Sequence, residues 1–317
     1  MTPLSAPFRI ATRRSKLAVW QAQHVAEHLR LAHAGLDVEL VQLTTQGDRI
    51  LDRALAEVGG KGLFVKELEL ALLENRADVA VHSMKDVPSS LPPELVIAAA
   101  LARANPRDAF VSLRHRCFAD LPNGAAIGTS SPRRQSQLRA ARRDLEVRLL
   151  RGNVDTRLAR LADGSLDAIV LACAGLERLG LEDRITEVLS AELSVPAVGQ
   201  GVIGIEARTD DMATRRLVAA LDHADTHTRL RAERAFAQTL HGSCHSPIAA
   251  YAEIANGRLH LVGYVGAPDG SETYRAALGG DVADAEAIGR ELAQRLSSAG
   301  AGALLERLRS AAVATLR

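Results

Sequence analysis

The chain has 317 residues, of which 47% are hydrophobic and 24% are charged, so it is long enough to form two or three hydrophobic cores. Its 39 lysines and arginines balance 38 aspartates and glutamates, which argues against a protein that binds nucleic acid or an anionic membrane through its overall field. The three cysteines in so long a chain predict a reduced, cytoplasmic protein. No signal-peptide core and no run of membrane-spanning length is found, so we expect a globular protein without a membrane segment.

The first two thirds of the chain alternate short apolar runs with helical patterns, which predicts an α/β fold with a mostly parallel sheet. Strands are predicted at residues 8–11, 38–45, 77–84 and 95–101, and helices after Ser15 and at 63–75. The alternation then repeats, with strands at 125–129, 146–150 and 167–172 and helices at 132–143 and 154–162. Ser131-Pro132 is a typical helix start, with serine as the N-cap and proline at the first helical position.

Two proline- and glycine-marked segments, Asn105-Pro106 and the stretch from Val195-Pro196 to Gly201, bound this repeated alternation. We interpret them as two crossings between one α/β domain and a second domain that is inserted into it. The last third differs, with helices near 228–240 and 284–297 and two strands around Asn256-Gly257, a hairpin signal. The predicted division is residues 1–101 with 200–222, then 102–199, then a small α+β domain at 223–317.

Two glycine motifs invite a nucleotide-binding interpretation, and neither has the context for it. Gly59-Gly60-Lys61-Gly62 lacks the spacing of a phosphate-binding loop, so a mobile loop with one cationic contact is favoured. Gly199-Gln200-Gly201-Val202-Ile203-Gly204 matches the dinucleotide pattern in letters. However, it follows a proline and leads into a predicted strand instead of a helix. An interdomain hinge is the better interpretation.

Arginine and hydroxyl side chains gather where predicted strands end and helices begin. One group is Thr12-Arg13-Arg14-Ser15, and the other is Ser130-Ser131-Pro132-Arg133-Arg134, followed by Arg151 and Arg157. Helix N-termini favour anions, and arginine binds carboxylates in bidentate pairs. Two facing domains that each carry such a group would suit a polyanionic small molecule.

Two further segments carry residue types used in catalysis. Lys85 and Asp86 follow a predicted strand just before a proline, either as loop residues of an active site or as a surface ion pair. Cys244 lies in a glycine- and proline-marked turn, where it is either a nucleophile, a covalent anchor or an inert thiol. A metal site formed with His241 and His245 fits no standard zinc spacing, so we expect no metal.

Taken together, these segments resemble the porphobilinogen deaminase family. The matching stretches are residues 9–13, 59–67, 77–88, 128–135, 150–157, 174–181 and 193–204, and more loosely 242–247. The resemblance implies two similar α/β domains like those of periplasmic binding proteins, plus a small C-terminal α+β domain. It therefore supports the insertion that is predicted from the punctuation of the chain.

The resemblance also implies the chemistry. Members deaminate and join four porphobilinogen molecules on a covalent dipyrromethane primer and release hydroxymethylbilane by hydrolysis, in tetrapyrrole (haem) biosynthesis. By this resemblance Cys244 carries the cofactor, and Asp86 is the catalytic carboxylate that stabilises positive charge on the pyrrole rings. The implied cofactor-binding residues are Ser15, Lys85, Asp86, Thr129, Ser131, Arg133, Arg134 and Arg151. The implied substrate-binding residues are Arg13, Arg151, Arg157 and Arg178.

The implied partners are porphobilinogen and the growing polypyrrole chain, without nucleic acid or membrane, in a cytoplasmic monomer. Two other classes of protein fit the residues. One is a non-catalytic, two-domain anion-binding protein, which would close on its ligand without a covalent adduct. The other is a cysteine hydrolase that uses Cys244 and a nearby histidine, which would form an acyl-enzyme.

Overall fold

A computed structural model describes residues 6–45, 47, 62–242 and 246–315. Cys244 with its neighbours 243 and 245, and residues 59–61 of the glycine loop, lie outside the described residues. No helix in the described ranges is long and apolar enough to cross a bilayer. The described chain forms three units, each built around its own sheet.

The first unit begins with parallel strands and the helices that cover them. Its early elements are β1 (Phe8–Arg13), α1 (Lys16–Ala32), β2 (Val38–Leu43), α2 (Lys66–Leu73), β3 (Val79–Ser83) and β4 (Leu95–Ala100). Ser15 caps α1 as predicted, since its Oγ accepts the backbone N–H of Ala18 at 3.3 Å. Val25 and Leu29 on the buried side of α1 pack against Ile10 of β1 in the core.

The chain passes into the second unit after β4, before it has formed the last strand of the first sheet. Its elements are β5 (Asp108–Val111), β6 (Ala126–Gly128), α3 (Pro132–Ala141), β7 (Glu146–Arg148), α4 (Val154–Ala162), β8 (Ala168–Ala172), α5 (Cys173–Glu177) and β9 (Glu187–Val188). The chain then returns to the first sheet as β10 (Ile203–Arg208), followed by α6 (Met212–Val218). The predicted strand after the Gly199-Gln200-Gly201 turn is confirmed, so no helix opens there as a dinucleotide site requires.

The two sheets have the same construction. Their strand orders are β2-β1-β3-β10-β4 and β7-β6-β8-β5-β9. In each sheet the first three strands in this order are parallel. The fourth, β10 or β5, is the first strand after a crossing between the two units, and it runs antiparallel to both of its neighbours. The parallel strands β1 and β3 therefore end at one edge of the first sheet, and β6 and β7 end at one edge of the second.

The third unit is an antiparallel sheet covered by helices. It contains α7 (Ala224–Thr239), β11 (Ile248–Ala255), β12 (Arg258–Gly266), β13 (Thr273–Asp281), α8 (Ala285–Leu296) and α9 (Gly302–Thr315). The predicted hairpin is confirmed, because Asn256 and Gly257 join β11 to β12 with φ angles of 50° and 72°. Phe236 of α7 and Leu292 of α8 pack over Leu261 of β12.

The predicted fold class, two similar α/β domains and a small α+β domain, is confirmed. The exact limits of the three domains stay a prediction. Six of these elements were not predicted by the sequence analysis: the strands β5, β9 and β13 and the helices α5, α6 and α9. The missing strands are short or rich in glycine, so their patterns are weak.

A buried carboxylate of the third unit fastens the two crossings between the α/β units. Glu233 of α7 is 0% exposed and accepts hydrogen bonds from Arg103 Nη1 at 2.5 Å and from the N–H of Gly199 at 2.7 Å. It also accepts the N–H of Ala252 in β11 at 2.8 Å. Arg103 and Gly199 belong to different crossings, so one carboxylate joins both of them to the third unit.

Candidate active site

A cavity of about 620 Å³ opens between the three units. Its first wall follows the ends of β1 and β3, and its second wall follows the ends of β6 and β7 together with the starts of α3 and α4. Its floor includes Gly242 and Ser246 of the third unit. The position agrees with the rule that α/β sheets bind ligands beyond the carboxyl ends of their parallel strands.

The described lining of this cavity is strongly cationic. It contains eight arginines and lysines but only two carboxylates, so an anionic ligand is favoured over a neutral one. The basic residues are Arg13, Arg14, Lys16, Lys85, Arg133, Arg134, Arg151 and Arg157, and the acidic ones are Asp86 and Asp155. The balanced charge of the whole chain conceals this local excess.

Lys85 and Asp86 project from a single 3₁₀ turn, Met84–Asp86, at the end of β3. Met84 is buried, and its carbonyl accepts the N–H of Val87 at 3.2 Å, which closes the turn. The N–H of Met84 donates to the carbonyl of Val202, just before β10, at 3.0 Å, which holds the turn onto the sheet. Asp86 keeps 31% of its side chain exposed, and its Oδ2 lies 3.9 Å from Arg13 Nη1. A carboxylate on a rigid strand end therefore faces the cavity from the first unit.

The electrostatic environment lowers the pKa of Lys85 to about 8. Burial is the main cause, and the positive charges of Arg134 and Arg157 act in the same direction against the opposing effect of Asp86. Burial and the charges of Arg134 and Arg151 likewise lower the pKa of Arg157 to about 10. The cations crowd one another, and bound anions would relieve that repulsion.

The guanidinium of Arg13 lies between the ring of Phe64 and the carboxylate of Asp86. Its Cζ is 4.3 Å from the centroid of the Phe64 ring, a cation–π distance. Phe64 thereby fixes the plane of a guanidinium whose Nη1 approaches Asp86. The sequence analysis did not identify Phe64, which stands beside the glycine loop and has no distinctive pattern.

Arg133 and Arg134, in the first turn of α3, are both paired with one buried acid. Arg133 donates to Asp108 Oδ2 at 2.9 Å and to the carbonyl of Val195 at 2.7 Å. Arg134 donates to Asp108 Oδ1 at 2.7 Å and to the carbonyl of Val170 at 2.9 Å. Both guanidiniums line the cavity, but much of their donor capacity is directed into the second unit.

The remaining residues of the second wall are positioned by helix caps. Ser131 caps α3, as predicted, by accepting the N–H of Arg134 at 3.4 Å. Thr129 is buried behind it, and its Oγ1 accepts the N–H of Ser131 at 3.2 Å. Arg157 donates from Nε to the carbonyl of Gly152 at 2.8 Å, so the loop that carries Arg151 folds back onto α4.

The structure brings most of the predicted site residues into one place. The predicted residues that line the cavity are Arg13, Ser15, Lys85, Asp86, Ser131, Arg133, Arg134, Arg151 and Arg157. Thr129 lies just behind the wall. Arg178 instead lines a neighbouring open groove, where it donates to the carbonyl of Gly201 at 2.7 Å and lies 6.0 Å from the Trp20 ring. Cys244 is outside the described residues, two positions from Gly242 and from Ser246, which both line the cavity.

Asp108 is the main site residue that the sequence analysis missed. It opens the short strand β5 directly after Pro106-Arg107, and it is 0% exposed. Burial would raise the pKa of Asp108, but the charges and hydrogen bonds of Arg133 and Arg134 hold it well below its usual range. An acid at the start of a buried apolar strand is the signal that could have found it, since a buried charge requires partners.

Comparison with known proteins agrees with this geometry. The family model described as "Porphobilinogen deaminase, dipyromethane cofactor binding domain" matches residues 8–216. The one described as "Porphobilinogen deaminase, C-terminal domain" matches residues 227–298. The chain belongs to the porphobilinogen deaminase family. Porphobilinogen deaminases are transferases of tetrapyrrole biosynthesis, and the matched domain is the one that binds the dipyrromethane cofactor.

Among solved structures, the chain aligns in part with two proteins at low sequence identity. The periplasmic VFT2 domain of BvgS from Bordetella pertussis aligns with a TM-score of 0.41 at 15% identity, over 68% of this chain and 86% of that chain. A nutrient binding protein from Burkholderia cenocepacia bound to methionine aligns with a TM-score of 0.41 at 15% identity, over 68% of this chain and 91% of that chain.

The described residues fit the cofactor of the porphobilinogen deaminase family. Each pyrrole ring of dipyrromethane carries an acetate and a propionate, so the group is a polycarboxylate. The cationic excess of the lining matches that charge, and the cavity volume of about 620 Å³ is in the range of small-molecule sites. Arginines line both walls, and arginine is the side chain that pairs with carboxylates in bidentate fashion.

Proposed function

We propose that this protein is a hydroxymethylbilane synthase. It deaminates four porphobilinogen molecules, joins them head to tail on a covalent dipyrromethane primer and releases hydroxymethylbilane by hydrolysis, in the route to haem. One observation carries the proposal. A cation-lined cavity has Asp86 in its first wall, and Gly242 and Ser246, on either side of Cys244, in its floor.

Binding is assigned to the basic residues of the two walls. Arg13 and Lys85 hold carboxylates of the pyrrole chain from the first unit, and Arg151 and Arg157 hold them from the second. Arg133, Arg134 and Ser131 contribute to cofactor binding through the first turn of α3, and Ser15 does so through the first turn of α1. Thr129 supports this surface from behind, and Arg178 serves the substrate from the adjoining groove.

Asp86 is assigned as the catalytic residue. Loss of ammonia from porphobilinogen and bond formation between rings both place positive charge on pyrrole nitrogens. A fixed carboxylate that faces those nitrogens stabilises this charge without reorganising at the moment of reaction. Asp86 suits the role because its backbone belongs to a turn anchored on β3, while its side chain is open to the cavity. Contacts of this kind typically contribute about 3–4 kcal/mol, or about 10²–10³ in rate.

Cys244 is assigned as the attachment point, through a thioether at its sulfur. When bound there, dipyrromethane supplies the primer to which substrate units are added. The support is the position of the two residues on either side of the loop at the cavity, together with the type of residue. Cys173 does not compete for this role, because it is buried in the second unit, where burial raises its thiol pKa to about 12.

Intact-protein mass spectrometry tests the proposal. The purified protein is expected to carry an adduct of two linked pyrrole rings, to react with an aldehyde colour reagent, and to release ammonia from porphobilinogen. Cys244→Ala is expected to lack the adduct, whereas Cys117→Ala, at a partly exposed thiol, is expected to keep it.

The rival functions give different results in the same experiment. A non-catalytic binding protein would carry no adduct and release no ammonia. A cysteine hydrolase would show an acyl-enzyme burst that is independent of any pyrrole. An unmodified Cys244 in a protein that still makes the linear product would overturn the assigned anchor. The cytoplasmic location and the monomeric state stay predictions.

A further inference from the structure

The carboxylate of Asp108 is the most heavily hydrogen-bonded group near the cavity. Arg133 donates to it from Nη1 at 2.9 Å and from Nη2 at 3.2 Å. Arg134 donates from Nη2 at 2.7 Å and from Nε at 3.1 Å. Ser194 Oγ donates at 2.7 Å and Gln200 Nε2 at 2.9 Å. One carboxylate therefore joins α3, the end of the second unit and the crossing that returns to the first sheet.

The arrangement fixes two cations that would otherwise repel each other. Arg133 and Arg134 are adjacent in the first turn of α3, and both guanidiniums lie in the wall of the cavity. Asp108 binds both, so the three side chains carry a net charge of +1 and the two guanidinium planes are fixed from behind. Without the carboxylate, each guanidinium would turn toward other acceptors, and the shape of the wall would change.

The same carboxylate connects this wall to the crossing that returns to the first sheet. Gln200, in the turn between the positive-φ residues Gly199 and Gly201, donates to Asp108 from its side chain. Its backbone carbonyl accepts Arg103 Nε at 2.8 Å, so it also contacts the opposite crossing. The position of the two guanidiniums is thus tied to the residues about which the α/β units are joined.

We propose that Asp108 is the positioning residue of the second wall. It sets the place and net charge of Arg133 and Arg134 so that they meet the carboxylates of the pyrrole chain. The inference deepens the proposed function and rests on it, because it assigns no chemistry to Asp108 itself. Asp108 acts only through the two arginines, since it is fully buried behind them.

Asp108→Asn is the direct test, because it removes the charge and keeps the size of the side chain. We expect kcat/KM for porphobilinogen to fall about 10²-fold, mostly through a higher KM, since a displacement of about 1 Å in a positioning group has an effect of that size. The two-ring adduct and the folded fraction in urea are measured on the same sample. If Asp108 were merely structural, the substitution would lower the folded fraction but would leave KM, and kcat per folded molecule, unchanged.

A matched control and a milder variant complete the design. Asp144→Asn removes a carboxylate that also pairs with an arginine, Arg142, at 2.7 Å, but at the exposed end of α3 and outside the cavity lining. It is expected to keep wild-type kinetics. Ser194→Ala removes one donor to Asp108 without removing a charge. It is expected to raise KM in the same direction as Asp108→Asn but less, which keeps the test decisive if Asp108→Asn does not fold.

A binding measurement separates this inference from the proposed function. Calorimetric titration of porphobilinogen into a Cys244→Ser protein, with no thiol for the primer, is expected to give a Kd at least about tenfold higher when Asp108→Asn is added. An unchanged Kd, or an unchanged KM in both Asp108→Asn and Ser194→Ala, would overturn the positioning role while leaving the proposed function intact. Absence of the two-ring adduct from the purified wild-type protein would overturn the proposed function, and this inference with it.

Discussion

The low pKa of Lys85 predicts a pH dependence that one substitution should remove. Burial lowers the pKa of this amine to about 8, so the free protein loses a cavity charge as the pH rises through 8. The carboxylates of porphobilinogen are ionised throughout this range, so they do not contribute to the change. Binding of the anion needs the protonated amine, and kcat/KM, which reports on the free enzyme, should decrease above pH 8.

The magnitude follows from the fraction of Lys85 that remains charged. About half of the molecules are protonated at pH 8 and about one in ten at pH 9, so kcat/KM should fall about fivefold between these two pH values. An ion pair at about 4 Å in a partly buried site is worth about 4 kcal/mol, or roughly 10³ in affinity. Because loss of the charge can lower kcat/KM by up to that factor, the decrease should continue throughout the range from pH 8 to pH 9. The same lowered pKa means that the unfolded chain binds the extra proton between about pH 8 and 10.5. The contribution of Lys85 to the free energy of unfolding therefore rises with pH in this window.

The assay is kcat/KM for porphobilinogen at constant ionic strength from pH 6.5 to 9.5. Lys85→Arg keeps its charge throughout and should flatten the decrease that is centred near pH 8. Lys66→Arg, on the exposed side of α2 and outside the cavity lining, should leave the wild-type profile in place. Titration of the substrate amine is common to all three proteins and cancels in the comparison. A decrease at pH 8 that survives in Lys85→Arg would refute the assignment of this group.

Three further outcomes follow from the structure. Asp86→Ala should fold and keep its two-ring adduct but lose about 10²–10³ in kcat, measured as the rate of product formation, and near-normal turnover would remove its catalytic role. Glu233→Ala should lower the free energy of unfolding by about 3–5 kcal/mol in urea, because Arg103 would stay buried without its partner, and a change below 1 kcal/mol would contradict the fastening role. Gly201→Ala should lower the free energy of unfolding by about 1–3 kcal/mol, because φ at Gly201 is +88° and an added Cβ would lie 2.6 Å from the carbonyl oxygen of Ala104 in the opposite crossing. Gly124→Ala, with φ +75° and open space around it, should have the smaller effect.

Much of the fold could be predicted because local signals were strong. The caps Ser15 and Ser131, the proline after Ser131 and the Asn256-Gly257 turn all act within a few residues, and each has the predicted role. The strand β13 was missed because it alternates between exposed and half-buried positions and includes two consecutive glycines. Its place in the sheet depends on pairing with β12, which no local pattern reports.

The location of the site could also be predicted, for a topological reason. Parallel strands of one sheet end at the same edge, so Arg13 at the end of β1 and Lys85 after β3 had to approach each other. The direction of individual side chains could not be predicted in the same way. Arg133 and Arg134 carry the sequence signature of ligand-binding residues, yet Asp108, 25 residues before Arg133, takes many of their hydrogen bonds. Whether an arginine at a helix start meets a ligand or a buried acid depends on contacts that are distant in sequence.

The two walls of the cavity hold their cations in different ways, and the difference has a physical consequence. In the second wall one of the two positive charges of Arg133 and Arg134 is compensated by the buried carboxylate of Asp108, which makes their positions rigid and reduces their net attraction for anions. In the first wall Lys85 and Arg13 share the neighbourhood of Asp86, a carboxylate that remains open to the cavity. A ligand carboxylate can therefore replace Asp86 as the partner of a cation in the first wall, but it cannot replace the buried Asp108 as the partner of Arg133 and Arg134 in the second. Under the proposed function, a chain that gains negative charge with each added unit would be bound against a rigid surface on one side, while Asp86, the carboxylate assigned to catalysis, stands on the side where ion pairs can be exchanged.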